Sequence, residues 1–377
     1  MKNSYKILDK LISFDTTSYK SNLDAINYIE NLFKHKKNYK TIKVYNSIKN
    51  KCSLLIKPLG DVTKGLLFAG HIDTVSVDGQ KWSSNPFKLI NKNGKLFGRG
   101  VVDMKGFLSL VISNMLNKNL NGIPVCLSVT HDEETGCEGI YNLSKYIQKK
   151  NIFLPNKCIV GEPTKTKIVT ANKGAAVFET IVRSKKDKGH SSNYNQKVNT
   201  ITLSSELIIF LQSLQAKISK KNVLKCIPKN SSIHIGVCEG GTGHNIIPKQ
   251  TSFRWEIRYI NDDLQFVKNN FQKFQNYLLK KYKKDISDIS IENIPICVVP
   301  GLKEKNQKKI IKFMNKFNFF ESEHVPFGTE AGIIQELGLS TIIFGPGSIS
   351  QAHKPNEYIT INQFEKFDIF LQNIFNY

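Results

Sequence analysis

The 377-residue chain carries 54 Lys and Arg against 31 Asp and Glu, a formal charge of +23, with 40% hydrophobic and 10% aromatic residues. Two domains are expected at this length, and the apolar content excludes a disordered chain. Its Lys residues fall in scattered pairs (Lys36-Lys37, Lys149-Lys150, Lys185-Lys186, Lys220-Lys221, Lys280-Lys281) among Asn and Ile rather than among aromatics. That pattern argues against a specific nucleic-acid platform and leaves a general preference for anionic substrates.

Seven Cys without a CxxC pair read as reduced thiols of a cytoplasmic protein. The N-terminal MKNSYKILDKLISFDT is amphipathic without a signal-type apolar core, and no run approaches the roughly 18 apolar residues of a membrane span.

In chain order, residues 4–34 place Leu8, Leu11, Ile12, Ile26, Ile29, Leu32 and Phe33 at helical spacing and predict helix. Residues 66–69 are an apolar run short enough for a buried strand; Gly70 permits a turn, and His71 and Asp73 follow. Two residues apart in extended chain, they face the same way, so one can bind a metal while the other lies behind it. A Gly-rich turn (Gly98, Gly100) then delivers Asp103 to the start of a helix through Phe107, Leu110, Val111 and Met115.

The theme repeats. Residues 124–129 predict a strand followed by His131-Asp132-Glu133-Glu134, residues 158–160 one followed by Gly161-Glu162-Pro163-Thr164, and residues 341–344 one followed by a Gly-Pro-Gly loop and His353. An open α/β sheet keeps its ligand site outside the carboxyl ends of its strands, so these acidic and imidazole groups are expected to converge. Between about 177 and 290 the pattern changes: residues 178–182, 232–237 and 252–258 alternate, and 198–214 are helix-like. This predicts an inserted two-layer α+β unit with a half-exposed antiparallel sheet whose edges suit pairing with a second copy.

Two imidazoles and three carboxylates, His71, Asp103, Glu134, Glu162 and His353, suit Zn2+, Co2+ or Mn2+ rather than a thiolate site. Five ligands exceed one tetrahedral ion and fit two ions sharing a bridging carboxylate. Glu133 and Glu134 are adjacent; in a turn such neighbours diverge, one free to bind metal and the other to act as a general base on water.

The strings GHIDTV, GRGVVDMKG, DEETG, GEPT, KGHSS, GTEAG and GPGSISQAHKPNEY, spanning residues 66–358, resemble those of the di-zinc amidohydrolase family that includes succinyl-diaminopimelate desuccinylase, aminoacylase and glutamate carboxypeptidase. The resemblance implies an α/β catalytic domain with a central mixed, mostly parallel sheet (residues 1–176 and 290–377), interrupted by a dimerisation or lid domain (177–289). It implies two divalent ions, zinc with cobalt as the alternative: His71 and Glu162 on one, Glu134 and His353 on the other, Asp103 bridging. By the same likeness Asp73 orients His71, Glu133 is the base, and His190 reaches into the partner subunit's site of a homodimer to stabilise an oxyanion. Asn245, Arg258 and Thr329 match positions that contact substrate. Glu330 follows Thr329 where the desuccinylase type carries Ser-Asp, and its carboxylate suits an ammonium group.

The expected reaction is hydrolysis of N2-acetyl-L-ornithine to ornithine and acetate, a step of arginine biosynthesis. Desuccinylation of succinyl-diaminopimelate or of another N-acylated amino acid is the same-class alternative. An inactive binding homologue is the third reading, opposed by the intact Glu133 and five ligands. No specific nucleic-acid or membrane partner is expected.

Overall fold

Eight strands form one mixed sheet in the order Tyr39–Tyr45, Cys52–Pro58, Val125–Thr130, Leu66–His71, Lys157–Val160, Ser340–Ile343, Ile168–Asn172, Ser322–Val325. This computed structural model describes residues 2–117, 122–184, 189–193, 199–218, 222–282 and 289–377. The Lys185-Lys186 and Lys220-Lys221 pairs, and residue 198 at the start of the helix-like stretch, lie outside the described residues.

Four adjacent strands of this sheet run parallel. Leu66–His71 pairs His71 with Thr130 on one side and Ala69 with Val160 on the other, and Ile343 in turn pairs with Val160. These are the four apolar runs expected from the sequence, and they are apolar nearly throughout because both faces of a parallel sheet are covered. Their carboxyl ends therefore lie along the same edge. The core beneath includes Phe68, Phe107, Phe344 and Phe367, with rings of Phe68 and Phe107 5.9 Å apart and of Phe107 and Phe367 5.8 Å apart. Each such side chain contributes about 2 kcal/mol by burial.

The predicted helix over 4–34 is two helices, Lys2–Ser13 and Leu23–Phe33. Short polar side chains compete for the backbone between them: Asp15 accepts from the N–H (3.2 Å) and hydroxyl (2.6 Å) of Thr17, and Thr16 donates to the Ile72 carbonyl (2.6 Å). Thr17 bridges to Thr74, laying this connection beside the chain that follows His71. Gly70 does not turn: the strand continues through it to His71, and a Cβ there would have to displace the Met104 methyl, 2.5 Å away. A small sheet joins Ile90–Lys92, Lys95–Phe97 and Tyr358–Thr360.

The chain folds into two compact units, one of residues 1–171, 302–324 and 329–377, the other of 172–301 with 325–328. The division falls outside the expected 177 and 289 because the second unit's sheet begins at Gly174 and its last strand, Ile289–Val299, runs to Val299. That antiparallel sheet has the order Ser232–Gly240, Gln250–Tyr259, Gly174–Ser184, Ile289–Val299. One face is buried with helices Thr200–Ile218 and Asp263–Tyr282 around Phe178, Leu207, Trp255 and Phe271, with Phe178 stacked 4.6 Å from Trp255. The edge strand Ser232–Gly240 is exposed over most of its length. Among the described residues no helix is long and apolar enough to cross a membrane, and all seven Cys are free thiols.

Candidate metal centre

Each strand end delivers a polar group to the sheet's carboxyl edge. His71 ends its own strand; Glu133 and Glu134 follow Thr130 after two residues, and Glu162 follows Val160 after one. Glu162 follows two close approaches that only glycine allows: a Cβ on Gly161 would strike the Phe107 ring at 2.3 Å, and one on Gly345 would strike the Gly161 carbonyl at 2.2 Å. Asp103 lies just ahead of the helix Lys105–Asn117 rather than in its first turn.

These groups meet. His71 Nε2 lies 3.0 Å from Asp103 Oδ1 and 3.8 Å from Glu162 Oε1, while His353 Nε2 lies 3.3 Å from Asp103 Oδ2 and 3.1 Å from Glu134 Oε1. Asp103 thus presents one oxygen to each imidazole. One ligand atom from each of His71, Asp103 and Glu134 lies within 4.8 Å of the others, a grouping able to hold a metal ion. His353 is half-exposed; the other four candidate ligands are nearly buried.

The charges are unbalanced. Burial, with Asp103 nearby, raises the carboxyls of Glu134 and Glu162, and burial with crowding by Glu134 and Asp103 pushes Glu133 up to about 8, despite the opposing pull of His71. Both imidazoles are raised by the carboxylates they face, His71 against the opposing effect of its burial and His353 to about 10. Acidic groups this crowded suit a cationic occupant, and the mixed imidazole and carboxylate donor set fits divalent ions of the zinc type.

Asp73 sits behind His71, although its carboxylate is not the nearest partner. His71 Nδ1 is 3.0 Å from the Asp73 carbonyl and 3.5 Å from Oδ1. The carboxylate instead accepts from the backbone N–H of Glu133 (3.1 Å) and Glu134 (3.3 Å) and from the Ser18 hydroxyl (2.9 Å). Cys137 Sγ is 3.6 Å from Glu133 Oε1. His131 and Asp132 pair with each other at 3.0 Å, and Asp132 pairs with Lys51 at 2.5 Å.

Thr329 and Glu330 are buried. The Thr329 hydroxyl accepts from the Ala331 N–H at 3.1 Å, and Glu330 Oε2 accepts from the Thr130 hydroxyl at 2.8 Å. Burial pushes the Glu330 carboxyl up to about 7, and its Oε1 is a buried oxygen with no hydrogen-bond partner among the described residues. His190, Asn245 and Arg258 belong to the second unit. There His190 Nδ1 is 2.7 Å from the Ser192 hydroxyl, the Asn245 carbonyl accepts from Ser191 N–H at 2.9 Å, and half-exposed Arg258 pairs with Glu256 at 3.2 Å.

Sequence reasoning missed Ser18, Arg99, Thr130 and Glu357. Arg99 and Glu357 are charged residues inside GRGVVDMKG and GPGSISQAHKPNEY, the one signal available for them; nothing local pointed to Ser18 or Thr130.

Residues 67–376 match the sequence profile of Peptidase family M20/M25/M40. The acetylornithine deacetylase of Buchnera aphidicola subsp. Schizaphis graminum (strain Sg) is 31% identical over 364 residues, covering 94% of this chain and 92% of that one. Among solved structures, an M20 family metallo-carboxypeptidase from Sulfolobus solfataricus is similar with a TM-score of 0.71 at 19% identity, over 100% of this chain and 99% of that one. A Bacillus subtilis protein described as a dinuclear metal binding peptidase from the M20 family is similar with a TM-score of 0.64 at 11% identity, over 100% and 97%.

Proposed function

The chain belongs to peptidase family M20/M25/M40 and is a hydrolase, and from that premise we propose that it cleaves the amide bond of a small N-acylated amino acid, N2-acetyl-L-ornithine, giving L-ornithine and acetate. The observation that carries the reading is the convergence of His71, Asp103 and Glu134 within 4.8 Å at the sheet edge, with Glu133 beside them. The choice of acyl group and amine rests on the named relative and on Glu330 after Thr329. Arginine biosynthesis is the route that consumes such a product.

His71 and Glu162 would hold one divalent ion and Glu134 and His353 the other, with Asp103 offering an oxygen to each, zinc being the first choice and cobalt the second. When bound, such ions polarise an acyl carbonyl and make a water acidic enough to deprotonate near neutral pH. From the same turn as Glu134, Glu133 takes the proton of the attacking water and returns it to the leaving amine. Asp73 braces that turn through both backbone N–H groups. His190, supplied by the partner subunit of a homodimer, donates to the oxyanion of the tetrahedral intermediate, and Asn245, Arg258 and Thr329 receive the substrate. We place the enzyme in the cytoplasm, in keeping with its free thiols.

The test is turnover of purified, metal-loaded protein on acetylornithine, acetylmethionine and succinyl-diaminopimelate, with metal content measured alongside. Acetylornithine should be preferred by orders of magnitude in kcat/KM, with up to two ions per chain and activity lost to chelator and restored by metal. Faster turnover of succinyl-diaminopimelate would remove the specific substrate and leave an acyl-amino-acid hydrolase. Full activity in metal-free protein would remove the mechanism.

A further inference from the structure

The buried Glu357 carboxylate collects four N–H donors from a single loop. Oε1 accepts from the backbone of Val102 (2.8 Å) and Asp103 (3.2 Å), and Oε2 from the backbone of Gly100 (3.0 Å) and from the Arg99 guanidinium (2.8 Å). Both side chains of the Arg99–Glu357 pair are 1% exposed. The Glu357 carbonyl also accepts from Gly98 N–H at 3.2 Å, and the next residues continue in register, Tyr358 with Phe97 and Ile359 with Leu96. The chain leaving His353 is thereby fastened to the chain approaching Asp103.

A second strut closes the circuit. The Arg99 guanidinium donates to Gln80 Oε1 at 2.5 Å and to the Lys354 carbonyl at 3.4 Å, and the Gln80 amide donates to the His353 carbonyl at 3.0 Å. The Trp82 ring lies 5.0 Å from the guanidinium and its N–H donates to Gln80 Oε1 at 3.1 Å. His353 needs such support, because its backbone is left-handed (φ 64), a conformation unfavourable for a residue with a Cβ. Glu357 is not a candidate ligand itself, since donors from the Asp103 loop and Arg99 occupy both oxygens.

We propose that Glu357, acting through Arg99 and Gln80, is a positioning residue that sets the span between Asp103 and His353 and so governs the affinity of the ion position these two share with Glu134. The inference rests on the proposed metal role of these residues. It distinguishes the two positions by degree: Asp103 serves both, but the other two ligands of the second position are held elsewhere, His71 by its strand and Glu162 by the Gly161 and Gly345 contacts, neither of which passes through Glu357. A pair that merely stabilised the fold would weaken both positions alike.

The test is calorimetric titration of Zn2+ into chelator-stripped full-length protein, with amide hydrogen exchange read over residues 98–104. Wild type should bind two equivalents; binding none would overturn the metal reading and this inference with it. In Glu357→Gln the new NH2 faces N–H donors in either orientation, so one equivalent should weaken about tenfold or more while the other, which shares only Asp103 with it, weakens clearly less, and exchange over 98–104 should quicken. Gln80→Ala, which spares the carboxylate and its backbone partners, should weaken the same single equivalent to a smaller degree. Two unchanged equivalents, or equal loss of both, in folded Glu357→Gln would overturn the proposal while leaving the metal reading intact. If Glu357→Gln does not fold, Gln80→Ala decides alone: loss confined to one equivalent supports the proposal, and no loss or uniform loss overturns it.

Discussion

The Asp73 carboxylate and Glu133 are joined through the backbone: Oδ1 accepts the Glu133 N–H at 3.1 Å, and Oδ2 takes the next N–H, that of Glu134, at 3.3 Å. One side chain thus fixes the turn that separates the proposed base from a proposed ligand. His71 leans mainly on the Asp73 carbonyl at 3.0 Å, which survives any substitution of the side chain. Asp73→Asn should therefore leave the His71 side of the site in place while lowering metal affinity on the Glu134 side and turnover by about 10- to 100-fold. Metal titration and single-turnover rates check this; selective loss on the His71 side would show that the carboxylate orients the imidazole after all.

Glu133 and Glu134 should separate cleanly. Glu133→Ala is expected to reduce kcat by a factor on the order of 100 to 10,000 with metal content unchanged, as removal of a general base does. Glu134→Ala should instead lose one ion. Metal analysis of the two purified variants decides the assignment, and equal ion loss in both would reverse it.

His190 is exposed and held toward Ser192. If it serves a partner subunit's site, mixing inactive His190→Ala with inactive Glu133→Ala protein should recover activity, because a heterodimer carries one site with both groups intact. Subunit exchange is followed by mass spectrometry of a tagged copy. Exchange without recovery would show that His190 does not act across subunits.

Glu330 offers a pH test. Burial sets its carboxyl to about 7. Below that value the group holds its proton and offers no charge; above it the carboxylate can pair with the ammonium of an ornithine moiety. The ratio of kcat/KM for acetylornithine to that for acetylmethionine should rise as pH climbs through this value, and Glu330→Gln should flatten the rise and lower acetylornithine turnover roughly tenfold or more. Using the ratio cancels titrations common to both substrates. A ratio independent of pH in wild type would show that Glu330 does not read the amine.

Much of the fold was legible because burial imposes local patterns. Continuous apolar runs marked the four parallel strands, alternation marked the half-exposed strands of the second unit, and helical spacing marked the helix Lys105–Asn117. The break between Ser13 and Leu23 was missed: the Asp15–Thr17 hydrogen bonds there are local, but those that fix the connection involve Ile72 and Thr74, far along the chain.

The residue types at the strand ends were likewise determined by the sequence alone, since imidazoles and carboxylates directly after apolar runs have few other uses together. Only the tertiary structure decided their spacing. Parallel pairing puts His71 level with Thr130, a Gly-to-backbone contact sets Glu162, and Arg99 and Glu357, 258 residues apart, fasten the Asp103 loop to the His353 loop. It also decided that Glu330 lies buried with one oxygen lacking a partner among the described residues, and that the Asp73 carboxylate braces a turn more closely than it touches His71. The reason is physical: apolar patterning reports what each segment must bury by itself, whereas a polar group is satisfied by whichever distant partner the completed fold brings within about 3 Å.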